Sequence, residues 1–318
     1  MGDVQPLLHL EVGQYSHPGR RRPNNEDWLG TFQPEDQERL ILKGSLFLVA
    51  DGMGGHQSGE LASRRAVDLI IRAYMEDPSP EIDTSLRRAI AIANTALYSA
   101  STGRGEGRNW GTTLVAAIVY HEELWIANVG DSRAYLIRGG KLRQLSRDHS
   151  WGAVLGVAPD QEWLGRHLIT RALGLKPEVE VDLFPPVKLT PGDLILLCTD
   201  GLTTPLPDEE IRAIATQAPP QQAAEALVKA ANDRGGPDNI SVILIRVARQ
   251  DLTATWQTPG ELLAIWLQPR TWKLALGSLK QFFSGGQRGL RPWVVWLLFG
   301  IIAIAIIGMG FLLGLILF

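Results

Sequence analysis

The sequence has little cysteine and no large excess of charge, and each shortage excludes a class of protein. The only cysteine among 318 residues is Cys198, which lies in the apolar run "LILLC". A disulfide framework within the chain is therefore excluded, which is typical of a reducing compartment. The formal net charge is −3. This charge gives no indication of a nucleic-acid partner, since proteins that bind nucleic acid usually have a basic patch.

Several catalytic motifs are also missing. The six histidines are scattered and form no HExxH pair, which argues against a zinc hydrolase. The sequence has no GxxxxGK[ST] or GxGxxG loop, which argues against phosphoryl transfer from a nucleotide. It also has no GxSxG elbow, and its one cysteine lies in a core-like run, so a covalent nucleophile has no candidate. The start, "MGDVQPLLHLEV", lacks the basic and apolar regions of a signal peptide.

The sequence does contain one long uncharged run, at its C-terminal end. From Pro292 to Phe318 no residue is charged, and about 20 apolar residues suffice to span a bilayer. Trp293 and Trp296 lie at one edge, where interfacial aromatic residues are common. We therefore predict a single-pass membrane protein with a transmembrane helix at 292–318 and the rest of the chain in the cytoplasm. A buried core helix is the alternative.

Residues 249–291 are predicted to link this helix to a domain at 1–248. The link begins with polar residues and becomes amphipathic in "ELLAIWLQPRTWKLALGSLKQFF". Such a segment can lie along a membrane surface and contact lipid. An ordinary flexible linker is an equal alternative.

The first 248 residues combine short strands with pairs of helices. Four strands between 112 and 146 are predicted to form an antiparallel meander, and further strands are predicted at Gly44–Ala50, Asp193–Cys198 and Ile240–Val247. This pattern predicts an α+β fold with a sheet core and flanking helices. Apolar residues at helical spacing predict four helices: Gly59–Met75, Asp83–Ser101, Asp208–Gln217 and Pro220–Arg234.

Acidic residues occur repeatedly where these predicted strands end. Singly, each is an ordinary turn residue. If the strand ends converge, however, four to six carboxylates share one place, and two like charges about 4 Å apart repel by about 4 kcal/mol. Such a cluster needs cations, and an all-oxygen ligand set selects Mg²⁺ or Mn²⁺. The acidic residues are Glu26, Asp27, Asp51, Asp131, Asp200 and Asp238.

Basic residues and glycines next to these acids narrow the chemistry. Gly52 follows Asp51, and a residue without a side chain lets its carbonyl approach a metal. Arg20, Arg21 and Arg22 precede the first pair of acids; arginine beside divalent cations suits a phosphate group. For two of these three arginines, a place in a solvated basic loop is a sufficient explanation. The pattern indicates metal-activated water attacking a phosphoester.

Taken in order, eight segments resemble one family, the metal-dependent serine/threonine protein phosphatases of type 2C (PPM), in its bacterial branch. The resemblance runs from about residue 12 to 247. The first segment reads Ser16-His17 where the family usually has Thr-Asp or Ser-Asp. The segments are "SHPGRRRPNNEDW", "VADGMGGHQSGE", "WGTTLVAAIV", "ANVGDSRAYLI", "SRDHS", "TRALG", "CTDGLT" and "GPDNISVI".

The resemblance implies a sandwich of two antiparallel sheets flanked by helix pairs, in four layers, with two Mn²⁺ or Mg²⁺ ions and a third, weaker one. A water that bridges the two metals would attack phosphoserine or phosphothreonine. By position, the direct ligands would be Asp51, the Gly52 carbonyl, Asp200 and Asp238. Glu26 and Asp27 would hold metal-bound waters, Asp131 would bind the third ion, and Arg22 would bind phosphate.

Two further features bear on the chemistry. His56 in "GGH" is a tempting proton donor, but it does not occupy the position of the histidine that related eukaryotic enzymes use, so a structural role is favoured and a metal-bound water is the better donor. The segment between "DHS" and "TRALG", which corresponds to the flap beside the active site, is shorter than in most bacterial relatives.

Three functions follow from these observations. A membrane-anchored phosphatase acting on phosphoserine and phosphothreonine proteins is favoured, with a membrane serine/threonine kinase as a natural partner. A non-catalytic binding module with the same fold is an alternative, as is a metal-dependent phosphatase with a non-protein substrate. Because every predicted direct ligand is present in the sequence, the enzyme is preferred over the binding module.

Overall fold

The structure is a computed structural model that describes residues 8–54, 57–102, 110–156, 165 and 168–248. All of them lie in the first of two compact units, Met1–Gln250. The predicted linker, the predicted membrane helix and His56 lie outside the described residues. So does most of the flap. No helix in the described part of the chain combines the length and the apolar character that a bilayer crossing requires.

The described residues form two antiparallel sheets. The first has the strand order β1-β11-β10-β7-β8, and the second has the order β2-β3-β5-β6-β9, with β4 paired to β3. The strands are β1 His9–His17, β2 Asp27–Phe32, β3 Ser45–Met53, β4 Gly111–Thr112, β5 Leu114–Tyr120, β6 Glu123–Val129, β7 Arg133–Arg138, β8 Lys141–Gln144, β9 Asp182–Lys188, β10 Leu194–Cys198 and β11 Ile240–Ala248.

Helices cover the outer face of each sheet. The long helices α2 and α3 pack on the second sheet, and α6 and α7 pack on the first. A third apolar cluster fills the space between the sheets. The predicted sandwich with helix pairs on both sides is therefore confirmed. The helices are α1 Gln37–Lys43, α2 Gln57–Glu76, α3 Ile82–Thr102, α4 Trp151–Leu155, α5 Asp200–Thr203, α6 Asp208–Ala215 and α7 Pro220–Asp233.

Alternation of side chains explains why the central strands are almost wholly apolar. In β3, Leu46 and Leu48 face the α2–α3 layer, whereas Phe47 and Val49 face the other sheet. Successive side chains of a strand point to opposite faces, and both faces here are covered. A strand covered on both faces has a continuous apolar run in its sequence.

Two predictions about the strands are wrong. The strands between residues 112 and 146 do not form one meander, because β5 pairs with β6 in the second sheet whereas β7 pairs with β8 in the first. The chain crosses between sheets at 130–132. In addition, Asp51 does not end its strand, since β3 continues to Met53 and pairs with β4 there. Neither change shows in local apolar periodicity, which reports burial and not the identity of the partner strand.

Candidate metal and phosphate site

A cavity of about 500 Å³ opens where the two sheets meet, and it collects most of the predicted site residues. They come from widely separated parts of the chain, so only the fold brings them together. Asp27 does not line the cavity, and its side chain is buried. The predicted residues that line it are Arg22, Glu26, Asp51, Gly52, Asp131, Asp200 and Asp238.

Asp51 and Asp27 lie directly opposite each other on the paired strands β3 and β2. The backbone of Asp51 is held on its other side by Thr112 and Thr113: its N–H donates to the Thr113 hydroxyl at 3.0 Å, and its carbonyl accepts from the Thr112 hydroxyl at 2.9 Å. Asp27 accepts a hydrogen bond from the Thr199 hydroxyl at 3.0 Å. The strand pair thus fixes two carboxylates close to each other.

The glycines that follow Asp51 and Asp200 are required by close backbone packing. A Cβ atom on Gly52 would lie 2.1 Å from the Gly59 carbonyl oxygen, and one on Gly201 would lie 1.9 Å from the Asn239 carbonyl oxygen. Cβ atoms essentially never approach backbone oxygens so closely. Packing alone therefore accounts for both Asp-Gly pairs, whether or not the Gly52 carbonyl also meets a metal.

Arg22 is the one arginine of the basic triplet that reaches the cavity. Its guanidinium donates to the Asp238 carboxylate at 2.8 Å, and this hydrogen bond is the main reason that the pKa of Arg22 is raised. Arg20 instead pairs with Asp233 at 3.0 Å on α7. The structure thus places Arg22 at the cavity and Arg20 outside it, as the prediction for a phosphate-binding Arg22 requires.

Asp131 lies in the segment that passes from one sheet to the other. Gly130 precedes it with φ +113°, a conformation that favours glycine. His149 holds Gly130 at two points: its backbone N–H donates to the Gly130 carbonyl at 2.8 Å, and its ring Nδ1 accepts from the Gly130 N–H at 3.0 Å. The position of Asp131 therefore depends on the "SRDHS" segment.

The aspartates of the site hold their protons more strongly than exposed aspartates do. Burial raises the pKa of Asp27 to about 7 and that of Asp200 to about 6, with neighbouring carboxylates adding to both shifts. Burial and the surrounding aspartates also raise the pKa values of Asp51 and Asp131 well above the ordinary value. The site therefore gathers more acidic groups than its basic side chains, Arg22 and Arg133, can neutralise.

Two observations test whether these residues suit hard cations. One oxygen each of Asp27, Asp131 and Asp200 is enclosed and has no hydrogen-bond partner among the described residues, whereas most buried polar atoms in proteins have one. The lining offers oxygen donors, which Mg²⁺ and Mn²⁺ prefer. The residues therefore fit such ions.

The carboxylates nevertheless do not meet at one point. Within the described residues, no group of three or more His, Cys, Asp or Glu side chains is close enough to hold a metal ion. The ligand roles assigned from the resemblance accordingly stay predictions.

Asn239 belongs to the site and was missed from the sequence. Its side-chain oxygen accepts from the Glu26 N–H at 2.8 Å, and its amide donates to the carbonyls of Pro18 and Asn24 at 2.9 Å and 2.8 Å. It thus fastens the loop that carries Arg22. Its place directly after Asp238 was the available signal, but partners more than 200 residues away cannot be inferred from that position.

Comparisons with known proteins agree with this geometry. Residues 15–244 match the profile of the family described as protein phosphatase 2C. The serine/threonine phosphatase stp of Listeria monocytogenes is 38% identical over 246 residues, covering 74% of this chain and 94% of that protein.

Solved structures agree as well. Stp1 from Staphylococcus aureus, a serine/threonine phosphatase, has a TM-score of 0.68 at 30% identity and covers 77% of this chain and 98% of its own. The catalytic domain of the phosphatase PstP in complex with two manganese ions has a TM-score of 0.65 at 31% identity, covering 76% and 99%. Because the family profile spans most of the chain and the fold matches over nearly the whole length of these enzymes, this chain belongs to the protein phosphatase 2C family.

Proposed function

We propose that this phosphatase hydrolyses phosphoserine and phosphothreonine in proteins, using two Mn²⁺ or Mg²⁺ ions and a third, weaker one. The observation that carries the proposal is the single cavity that contains five carboxylate side chains and Arg22. The similarity to a PstP domain in complex with two manganese ions supports the choice of metal.

Each residue of the cavity has a distinct proposed role. Asp51, the Gly52 carbonyl, Asp200 and Asp238 would hold the two principal ions, as the resemblance implies. When bound, the ions supply a water of lowered pKa as nucleophile and neutralise charge on the phosphate oxygens.

Three further acids support that set. Glu26 and Asp27 would hold water next to the ions, and Asp131 would hold the third ion. Asp27 suits an indirect role because it is buried behind the cavity and already accepts a hydrogen bond from Thr199.

Arg22 holds the phosphate group of the substrate. A guanidinium can donate two parallel hydrogen bonds to a phosphate, and it can stabilise the negative charge that develops during displacement. In the structure the Asp238 carboxylate occupies one donor of Arg22. That ion pair fixes the direction of the side chain towards the cavity and leaves its other donors for phosphate.

The test is hydrolysis of a phosphothreonine peptide and of p-nitrophenyl phosphate. With Mn²⁺ we expect both to be hydrolysed, and we expect a chelator to abolish the activity. Hydrolysis of p-nitrophenyl phosphate but of no phosphopeptide would favour a non-protein substrate. Inactivity of the wild type towards every substrate with Mn²⁺ or Mg²⁺ would contradict the proposal and favour a binding module.

We further propose that the phosphatase acts at the cytoplasmic face of a membrane, near a membrane serine/threonine kinase. The support is the sequence alone: the uncharged run 292–318 and the tryptophans at its edge. A chain ending at residue 250 should leave the membrane fraction and keep full activity, whereas the full chain should need detergent for extraction. A truncated chain that still sediments with membranes would contradict the anchor.

A further inference from the structure

His17 makes a hydrogen bond that only its unprotonated ring nitrogen can accept. It is the last residue of β1, and its Nδ1 accepts from the backbone N–H of Gly19 at 2.9 Å. The side-chain amide nitrogen of Asn232 lies 3.1 Å from the same Nδ1. Since a backbone N–H can only donate, this geometry assigns Nδ1 as an acceptor and leaves any ring proton on Nε2.

The Gly19 backbone lies at the base of the loop that carries Arg22. Gly19 has φ +80°, and a Cβ atom there would lie 2.1 Å from the Asp238 carbonyl oxygen. The next two residues donate their backbone N–H groups to the Gly236 carbonyl, at 2.8 Å and 3.3 Å. The loop is therefore closely packed against the segment before β11, and the His17 contact fixes its first turn.

The imidazole of His17 makes a contact that an aspartate commonly makes, since it accepts from the backbone N–H two residues further on. A carboxylate stays an acceptor throughout the neutral range, whereas a protonated imidazole has N–H groups at both nitrogens and cannot accept.

We propose that His17 is a positioning residue whose neutral imidazole holds the Arg22 loop, so that protonation of the ring weakens phosphate binding at the site. This inference rests on the proposed role of Arg22. His17 does not itself line the catalytic cavity. It acts through the backbone of Gly19 and the loop that follows.

Apart from Val228, the residues that line the cavity beside His17 are charged or polar. Tyr15 from β1, Arg20 from the loop, and Glu225, Lys229 and Asp233 from α7 line a second cavity with His17 and Asn232. Asp233 pairs with both Arg20 and Lys229. On the β11 side, the Ser241 hydroxyl bonds to Ser16. Of these residue types, only histidine ordinarily changes charge between about pH 6 and about pH 8.

The experiment compares the wild type with His17→Asn and His17→Ala. Asparagine keeps an uncharged acceptor that does not titrate, and alanine removes the acceptor. The affinity for inorganic phosphate, measured by calorimetry with saturating Mn²⁺, and the separate KM and kcat for p-nitrophenyl phosphate would be determined at about pH 8 and about pH 6.

At the higher pH we expect the wild type and His17→Asn to bind phosphate equally. At the lower pH we expect the wild type to bind about fivefold more weakly than His17→Asn, as the loss of one hydrogen bond implies. At the lower pH, the KM for p-nitrophenyl phosphate should be higher for the wild type than for His17→Asn, whereas kcat should be the same. His17→Ala should bind phosphate weakly at both pH values. If that variant does not fold, the wild type and His17→Asn still give the decisive ratio.

Effects of pH on the metal site itself are the same in the wild type and in His17→Asn, so they cancel in the ratio of the two phosphate affinities. Equal phosphate affinities of wild type and His17→Asn at both pH values, in active enzymes, would overturn the inference about His17 and leave the proposed function intact. If neither the wild type nor either variant binds phosphate, the proposed role of Arg22 is wrong, and this inference is wrong with it.

Discussion

The strand β10 has an aspartate at each of its ends, and the two aspartates have opposite surroundings. Asp193, just before the strand, is buried and forms a two-point ion pair with Arg138 at 2.8 Å and 2.7 Å. It also accepts from the Thr190 N–H at 2.7 Å. Asp200, just after the strand, has an enclosed oxygen with no hydrogen-bond partner among the described residues.

The comparison separates an acid that is satisfied within the fold from one that we propose binds a metal ion. A buried carboxylate that a protein uses for stability is satisfied by its own side chains and backbone. One oxygen of Asp200 lacks a hydrogen-bond partner within the described residues. Burial is the main cause of the raised pKa of Asp200, and the nearby Asp238 carboxylate raises it further. Arrangements of this kind commonly mark functional sites, because a bound ion supplies what the protein does not.

The largest expected effect is loss of activity on changing the acids that are proposed to bind metal. Asp200→Asn and Asp51→Asn should lower kcat/KM for a phosphopeptide by about 100-fold to 1000-fold, the size seen when one group that stabilises transition-state charge is removed. The melting temperature without metal should not fall, because the change removes a poorly compensated negative charge. Retention of activity in either variant would contradict the ligand assignment.

Asp193→Asn provides the matched control at the other end of the same strand. We expect wild-type kcat/KM but a free energy of unfolding lower by about 2 kcal/mol, because the amide has one acceptor oxygen in place of two and no negative charge to pair with Arg138. Chemical denaturation measures this free energy of unfolding. A variant with normal stability and impaired catalysis would show that the distinction between the two aspartates is wrong.

A smaller effect is expected from the arginines. Arg22→Ala should raise KM and the inhibition constant of inorganic phosphate about tenfold, since hydrogen bonds to charged groups contribute about 1.5–3 kcal/mol. Arg20→Ala is the control, because Arg20 pairs with Asp233 on the exposed surface. Equal effects of the two substitutions on KM would mean that general positive charge, and not Arg22 itself, holds the phosphate.

The smallest expected effect concerns pH and the stability of the metal-free protein. The pKa values of Asp27 and Asp200 are raised from 3.8 to about 7 and about 6. Raised values in the folded state mean that stability is fully present below the unfolded value and is lost as the pH rises through the folded values. The melting temperature should therefore fall between about pH 4 and about pH 7.

Addition of Mn²⁺ should reverse that fall, and its stabilising effect should be larger at the higher pH, where the carboxylates are ionised. Asp200→Asn should show a weaker dependence on pH than the wild type. A melting temperature that does not change with pH in the absence of metal would contradict the electrostatic account of the site.

Much of the fold was predictable from the sequence. Long amphipathic segments predicted α2, α3, α6 and α7 within a few residues, because their apolar stripe is set by local spacing. The edge strands β1 and β9 were missed, since they are only partly buried and carry a weak pattern. The division of β5–β8 between two sheets was also missed, because pairing across sheets depends on contacts distant in sequence.

The candidate site was predictable to a similar extent, and for a similar reason. Asp51, Asp200 and Asp238 stood out because each lies beside a buried apolar run. The supporting contacts of Asn239, His149 and Thr199 did not stand out, since each of these side chains bonds to backbone or carboxylate groups in distant segments.

The sequence alone determined the residue types, the helical and strand periods and the ordered segments that resemble a phosphatase family, because these are local properties of the chain. It placed aspartates at both ends of β10 without distinguishing them. Only the tertiary structure decided that Asp193 meets an arginine while Asp200 faces a shared cavity. The physical reason is that the energy of a buried charge depends on what surrounds it, and those surroundings come from residues far away along the chain.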